Sequence, residues 1–144
     1  MKSIKSEILS DIKKARYSIK IAVAWLTDID FIDALSEKII KDRRMDIRIV
    51  VSGHKDNKDF YLKTKLVDLN KMGVKVKTYG SSSPLDGGFM HCKFYIIDED
   101  YSKSGSYNWS KGAEKNIECL DLVDVNDKKK LFLRLFGNGS DYVR

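Results

Sequence analysis

The chain has 144 residues, of which 42% are hydrophobic and 33% are charged, with one proline and nine glycines. These values predict one folded domain over residues 1–144 and exclude a collagen-like or low-complexity protein. Lys and Arg number 27 against 21 Asp and Glu, and the net charge of +6 favours a polyanionic partner, either nucleic acid or an anionic phospholipid surface.

The first half of the chain alternates helical and strand patterns. Ile4 begins an amphipathic helical spacing, Thr27 or Asp28 can cap a second helix, and a third helix begins near Asp59 and closes at Gly73. The strands between these helices are predicted at 19–26, 46–52 and 74–79. This alternating order predicts a parallel sheet with helices on its faces.

The pattern changes after a loop at 80–88. Strands at 92–98 and 101–105 can pair through a turn at 98–100. A short helix at 109–115, a strand at 117–125 and a closing helix at 128–136 complete the chain. The predicted fold class is α/β, with a mixed, largely parallel central sheet flanked by helices on both faces.

The N-terminal segment is charged throughout and lacks the apolar core of a signal peptide. The longest apolar run, 21–26, is far shorter than the roughly 20 residues of a membrane span. The sequence therefore predicts a cytoplasmic protein without a transmembrane segment. Cys92 and Cys119 lack the CxxC spacing of a zinc site and are interpreted as small buried residues, with a disulfide between them left open.

His91 and Lys93 stand at the start of the predicted strand 92–98. Side chains alternate along a strand, so these two project from the same face, roughly 7 Å apart, while Cys92 points to the opposite face. The imidazole can attack phosphorus, and the ammonium can hold a phosphate oxygen as negative charge builds in the transition state. The pair therefore indicates a phosphoryl-transfer site.

Further polar residues follow this pair. The hydroxyl of Ser106 and the amide of Asn108 supply neutral donors for the remaining phosphate oxygens. Glu118 opens the predicted last strand, where its carboxylate can accept a hydrogen bond from one nitrogen of His91 and fix the tautomer. No cluster of acids and histidines has the spacing of metal ligands.

His91, Lys93 and Asp98 form the spacing His-x-Lys-x4-Asp, which Gly-Ser-x-Asn at 105–108 and Asn-x-Glu at 116–118 follow. In these motifs the sequence resembles the phospholipase D superfamily, in particular its small single-motif branch of bacterial nuclease-like and mitochondrial cardiolipin hydrolase-like proteins. The strand that ends in Ala-Val-Ala-Trp, followed by Thr-Asp, is also similar to the first strand of that group. The resemblance covers most of the chain.

The resemblance implies a phospholipase D-like fold and a two-step reaction that uses no metal or cofactor. One histidine attacks phosphorus to give a phosphohistidine, and a second histidine protonates the leaving oxygen and then activates water. Carried over by motif position, His91 is the nucleophile, Lys93, Ser106 and Asn108 are phosphate ligands, Glu118 orients the histidine, and Asp98 and Gly105 are structural.

The number of histidines bears on assembly. The reaction needs two, and the chain has two, His54 and His91, of which His91 alone lies in the motif. His54 begins a consecutive His-Lys-Asp that lacks the motif spacing and is interpreted as a polar loop, although it follows a predicted parallel strand where ligands commonly bind. Single-motif family members resemble halves of longer enzymes, so the sequence predicts a homodimer with one active site at its two-fold interface.

The sequence is best interpreted as a phosphodiesterase that acts as a nuclease on DNA or RNA. An alternative is a phospholipid hydrolase with a cardiolipin-type substrate, since a basic face also suits an anionic membrane. An alternative of another class is a catalytically silent nucleic-acid-binding module.

Overall fold

The computed structural model describes residues 3–142, apart from the side chain of Phe60, and shows four helices, seven strands and two short 3₁₀ segments. The helices are α1 (Ile4–Lys14), α2 (Ile29–Lys41), α3 (Phe60–Lys71) and α4 (Val125–Gly137). The strands are β1 (Ser18–Val23), β2 (Asp46–Ser52), β3 (Lys75–Tyr79), β4 (Lys93–Ile97), β5 (Tyr101–Gly105), β6 (Leu120–Val123) and β7 (Ser140–Asp141). The 3₁₀ segments are Lys55–Lys58 and Lys111–Lys115.

All seven strands belong to one sheet, in the order β6-β5-β4-β1-β2-β3-β7. β1, β2 and β3 pair in parallel, as the alternating pattern of the first half predicts. β4 is antiparallel to β1, β5 and β6 continue in antiparallel fashion, and β7 is antiparallel to β3. The mixed α/β fold is confirmed, but the parallel pairing is confined to β1–β3. Between β4 and β5 the three-residue connection permits only a hairpin.

Alternate residues of the central strands face two hydrophobic clusters. Ile19, Ile21 and Val23 of β1 are fully buried in the larger cluster, which α1, α2 and α3 cover. Ala22 faces the opposite cluster, where α4 contributes Phe132. Burying one such large side chain stabilises the fold by roughly 1.5–3 kcal/mol, so the near-continuous apolar run of β1 requires cover on both faces. Helices on both faces of the sheet are therefore confirmed.

Helix ends follow the expected chemistry. The Asp28 carboxylate accepts the N–H of Asp30 at the start of α2, and Asp59 caps α3. Gly73 has φ +104°, a value that favours glycine, directly after the end of α3. Within residues 3–142, none of the helices combines the length and apolar character that a bilayer crossing requires.

The structure differs from the predicted elements near chain reversals. β1 stops at Val23 rather than at 26, because the backbone of Trp25 bonds to the loop that follows β5 instead of to a strand. The helix predicted at 109–115 is a 3₁₀ turn at Lys111–Lys115, and β6 begins at Leu120 rather than at 117. β7 was not predicted, since a two-residue strand carries no pattern.

The two cysteines are free thiols. Cys92 is half-buried and packs against the cluster that α4 covers, on the face expected for it. Cys119 is exposed, which contradicts the expectation that both cysteines are buried. Cys119 directly precedes β6, which is the last strand at one side of the sheet and lacks a neighbouring strand there in the part of the chain described.

Asp98 holds the turn between β4 and β5. Its carboxylate accepts the backbone N–H groups of Arg16, Tyr17 and Ser18 at distances between 2.6 and 3.0 Å. Burial alone opposes ionisation, but these three N–H groups outweigh it and hold the pKa of Asp98 below its usual value. Asp98 and Glu99 both have positive φ, a conformation that aspartate tolerates well and that these contacts stabilise.

We expect Asp98→Asn to lower the free energy of unfolding at pH 7 by roughly 1–2 kcal/mol, since N–H groups bond more strongly to a charged acceptor than to a neutral one. The pKa of Asp98 in the folded state lies below the ordinary value of 3.8, so this stabilisation is present above that value and is lost as the pH falls through the folded-state pKa. Urea unfolding at pH 7 and near pH 3 measures the difference, which should narrow in acid. Asp100→Asn, in the same turn, is the matched control, and an undiminished difference in acid would contradict the role of the charge.

Candidate active site

One edge of the sheet collects the residues that the motifs predict. β4 begins at Lys93, which pairs with Val23 at the end of β1. β5 ends at Gly105, opposite Leu120 at the start of β6. Because neighbouring antiparallel strands begin and end at the same edge, the segments before β4, after β5 and before β6 meet there. The carboxyl ends of the parallel strands β1–β3 lie at this edge as well.

His91 and Lys93 are adjacent at this edge. The imidazole of His91 is exposed, and its ring centroid lies 5.4 Å from that of Phe89 and 6.0 Å from that of Trp25. The ammonium of Lys93 is half-buried and donates a hydrogen bond of 3.1 Å to the backbone carbonyl of His91. A cation is thus held beside an accessible imidazole.

Burial is the main cause that lowers the pKa of Lys93, and nearby negative charge, including that of Glu118, partly offsets it. An ammonium that burial destabilises gains more from an arriving anion than a fully hydrated one does. This environment suits the binding of a phosphate oxygen.

Gly105 and Ser106 form a close contact with the segment before β6. A Cβ at position 105 would overlap the backbone carbonyl of Cys119, so the chain can approach this closely only at a glycine. Ser106 donates its backbone N–H to that carbonyl at 3.1 Å, and its hydroxyl oxygen accepts the N–H of Cys119 at 3.0 Å. The Ser106 side chain is exposed, with its hydroxyl hydrogen left for an external acceptor.

Asn108 connects this loop to the end of β1. Its side-chain oxygen accepts the backbone N–H of Trp25 at 3.3 Å, and the neighbouring Trp109 donates its N–H to the Trp25 carbonyl at 3.1 Å. With the oxygen engaged, the NH₂ group is the part of the Asn108 amide that can donate to a substrate.

Glu118 lies close to the other motif residues but makes a different contact from the one predicted. Glu118 is half-buried and lines a cavity of about 520 Å³ together with Lys5, Tyr107 and Ile117. It acts on Lys93 through its charge. Among the described residues no hydrogen bond joins Glu118 to the ring of His91, so the predicted orienting contact is not formed.

Three further side chains reach this edge that the sequence analysis did not assign to the site. Trp25 is half-exposed, whereas Trp109 is buried. The indole N–H of Trp25 donates to Nδ1 of His54 at 3.2 Å, and the Phe89 ring lies 5.4 Å from that of Trp25. The position of Trp25 and His54 after two adjacent parallel strands was the available signal, because the carboxyl ends of such strands meet.

Within residues 3–142, no three His, Cys, Asp or Glu side chains converge in a group that could hold a metal ion.

Comparison with known proteins agrees with this geometry. The family model described as "Cardiolipin synthase, PLD-like domain" matches residues 8–138. Nuc from Salmonella typhimurium, a phospholipase D family member, is similar in structure with a TM-score of 0.79 and 23% identity, over 97% of this chain and 91% of that chain. NucT from Helicobacter pylori gives a TM-score of 0.78 and 26% identity, over 96% of this chain and 90% of that chain.

TrmBL2, an archaeal chromatin protein described as having a novel mode of DNA binding, is more distant. Its TM-score is 0.67 at 15% identity, and the match covers 95% of this chain but 50% of that chain. No curated protein matches the chain in sequence.

The family model spans nearly all of the chain, and the matched structures share its sheet and helices over almost their full length. The resemblance drawn from the motifs is therefore confirmed. The chain belongs to the phospholipase D superfamily, as a member with a PLD-like domain.

Proposed function

We propose that the chain is a metal-independent phosphodiesterase that cleaves nucleic acid through a phosphohistidine, at a site that two copies of the chain share. The observation that carries this proposal is the exposed imidazole of His91 beside the half-buried ammonium of Lys93. Ser106 and Asn108 stand at the same edge of the sheet, and because their oxygens accept backbone N–H groups, their side-chain hydrogens are available to an acceptor. Together these groups supply the nucleophile, the cation and the neutral donors that cleavage of a phosphodiester needs.

The proposed reaction has two displacements. An unprotonated nitrogen of His91 attacks phosphorus, an N–P bond forms, and the P–O bond to the leaving group breaks while an imidazolium gives that oxygen its proton. Water then attacks the phosphohistidine, gives a proton to the second imidazole and releases His91. Lys93, Ser106 and Asn108 hold the other phosphate oxygens as negative charge develops on them.

The proton donor is proposed to be His91 of a second copy. His54, the other histidine of the chain, uses Nδ1 to accept hydrogen bonds from the Trp25 indole at 3.2 Å and from the backbone N–H of Asp56 at 3.1 Å. His91 is exposed and open to an approaching chain. Ile117 and Leu122 are exposed apolar side chains on either side of the start of β6, and they offer a surface for that second copy.

Two alternatives each have an observation in their favour. A phospholipid hydrolase fits the family model named for cardiolipin synthase, and the exposed Leu85 in the loop before His91 could touch lipid. A silent nucleic-acid-binding module fits the fold shared with TrmBL2, a chromatin protein. Nucleic-acid cleavage remains the function proposed, because the nucleophile and the phosphate ligands stand together at one edge.

We expect His91→Asn to abolish cleavage and to leave the fold and substrate binding intact, because asparagine neither attacks phosphorus nor donates a proton as an acid. Wild-type and His91→Asn chains mixed under exchange should show activity proportional to the square of the wild-type fraction, since a mixed dimer lacks the acid. Tyr17→Leu, at the opposite edge, is the control chain and should not reduce activity at any ratio. A linear decline with the His91→Asn fraction would show that each chain holds a complete site.

A second test concerns the substrate class. With excess EDTA present, we expect single-stranded nucleic acid to be cut and cardiolipin vesicles to stay intact. Contacts from Lys to phosphates release counterions, so substrate binding should weaken steeply between 50 and 200 mM salt, by a factor on the order of 10 or more. Gel assays and lipid chromatography on the same preparation measure both reactions. Lipid turnover without nucleic-acid cleavage would favour the phospholipase alternative, and loss of activity in EDTA that magnesium restores would contradict the histidine mechanism.

A further inference from the structure

Trp25, His54 and Phe89 form a continuous group of rings beside His91, here called the aromatic patch. The centroid of Trp25 lies 5.2 Å from that of His54 and 5.4 Å from that of Phe89, and His54 and Phe89 are 6.5 Å apart. The ring centroid of His91 lies 6.0 Å from that of Trp25 and 5.4 Å from that of Phe89. The patch therefore adjoins the proposed nucleophile directly.

The chain holds the patch in place at three points. Trp25 is fixed by two hydrogen bonds: its backbone N–H donates to the side-chain oxygen of Asn108, and its indole N–H donates to Nδ1 of His54. Phe89 follows a loop closed at Gly80, where φ is +85° and a Cβ would overlap the carbonyl of Gly88. This much backbone and hydrogen-bond support fixes the rings before a substrate arrives, which reduces the entropy that binding must overcome.

The patch is also accessible. Trp25, His54 and Phe89 are each partly exposed, in contrast to Trp109, of which 2% is exposed. The 3₁₀ segment Lys55–Lys58 follows His54, and its two exposed lysines outnumber its one carboxylate, Asp56, which lies 3.6 Å from Nδ1 of His54. Flat rings beside cations are the combination that single-stranded nucleic acids bind, with bases stacked on the rings and phosphates near the lysines.

We propose that the aromatic patch is a base-binding platform that selects single-stranded nucleic acid. Trp25 and Phe89 stack on an unpaired base next to the scissile phosphate, and His54 is a positioning residue that fixes the indole. This inference rests on the proposed nuclease function and extends it to a substrate class. A base in a duplex is already paired and stacked and must be extruded before it can bind here, and a phospholipid carries no base.

The test compares two oligonucleotides of equal length and charge, one normal and one with abasic sugars around the cleavage position. The wild-type protein should cleave the normal oligonucleotide with a kcat/KM about fivefold or more above that of the abasic one, the factor expected for one stacked base. Trp25→Leu and Phe89→Leu should each reduce this preference through a higher KM on the normal substrate, with little change on the abasic one. Tyr17→Leu replaces a 70%-exposed aromatic residue at the opposite edge and should leave the preference unchanged.

The positioning role of His54 has its own comparison. His54→Asn keeps an acceptor close to the position of Nδ1, whereas His54→Leu removes it. We expect the leucine variant to lose the preference for bases and the asparagine variant to retain most of it. Equal loss in both variants would contradict the hydrogen bond to Trp25 as the relevant contact.

Two outcomes would overturn the platform. The first is an equal kcat/KM of the wild-type protein on the normal and the abasic oligonucleotides. The second is that Trp25→Leu and Phe89→Leu reduce kcat/KM by the same factor on the normal oligonucleotide as on the abasic one. If the wild-type protein cleaves neither, the nuclease proposal fails and fluorescence anisotropy with the same oligonucleotides decides on the platform. Tighter binding of the normal oligonucleotide that Trp25→Leu removes would support it, equal binding would refute it, and binding of phospholipid vesicles that depends on Trp25 would assign the patch to lipid instead.

Discussion

Residues 24–26, just beyond β1, are the segment on which the geometry of the site depends. Ala24 donates its N–H to Cys92, directly between His91 and Lys93, and its carbonyl accepts the hydroxyl of Ser52. Trp25 bonds through its backbone to Asn108 and Trp109. The backbone groups of Ala24 and Trp25 therefore join the segment before β4, the end of β2 and the loop after β5. Without them the motif residues would belong to separate loops.

Three polar side chains at this edge have their acceptor atoms occupied by N–H groups of the protein. The acceptor atoms of Ser106, Asn108 and His54 are engaged by N–H groups of the protein, namely those of Cys119 and Trp25. These side chains can therefore still donate hydrogen bonds to a ligand. Since Lys93 adds a positive charge that burial makes costly, this edge combines a cation with neutral donors, which is the combination that favours a bound anion.

Much of this arrangement could be predicted from the sequence, for identifiable reasons. The strands β1, β2 and β4 are rich in apolar residues, and the pairing of His91 with Lys93 follows from alternation along one strand. The absence of a hydrogen bond between Glu118 and His91 could not be predicted, because it depends on the path of residues 109–119. That path is set by the close approach of Gly105 to Cys119, a tertiary contact that no local pattern encodes. The partial exposure of Trp25 could not be predicted either, because it depends on where β1 ends.

The position of Asp98 gives a structural reason for the spacing of the His-x-Lys-x4-Asp motif. Lys93 opens β4 and Asp98 follows its last residue, Ile97, so one strand carries the proposed phosphate-binding cation at one end and the carboxylate that bonds residues 16–18 at the other. Five residue steps at about 3.3 Å span roughly 16 Å, close to the width of the sheet along its strands. The interval between Lys and Asp in His-x-Lys-x4-Asp is thus set by the length of the strand and is not a requirement of the reaction. Losing one residue inside β4 would turn one end of the motif onto the opposite face of the sheet, however well the chemical groups were conserved.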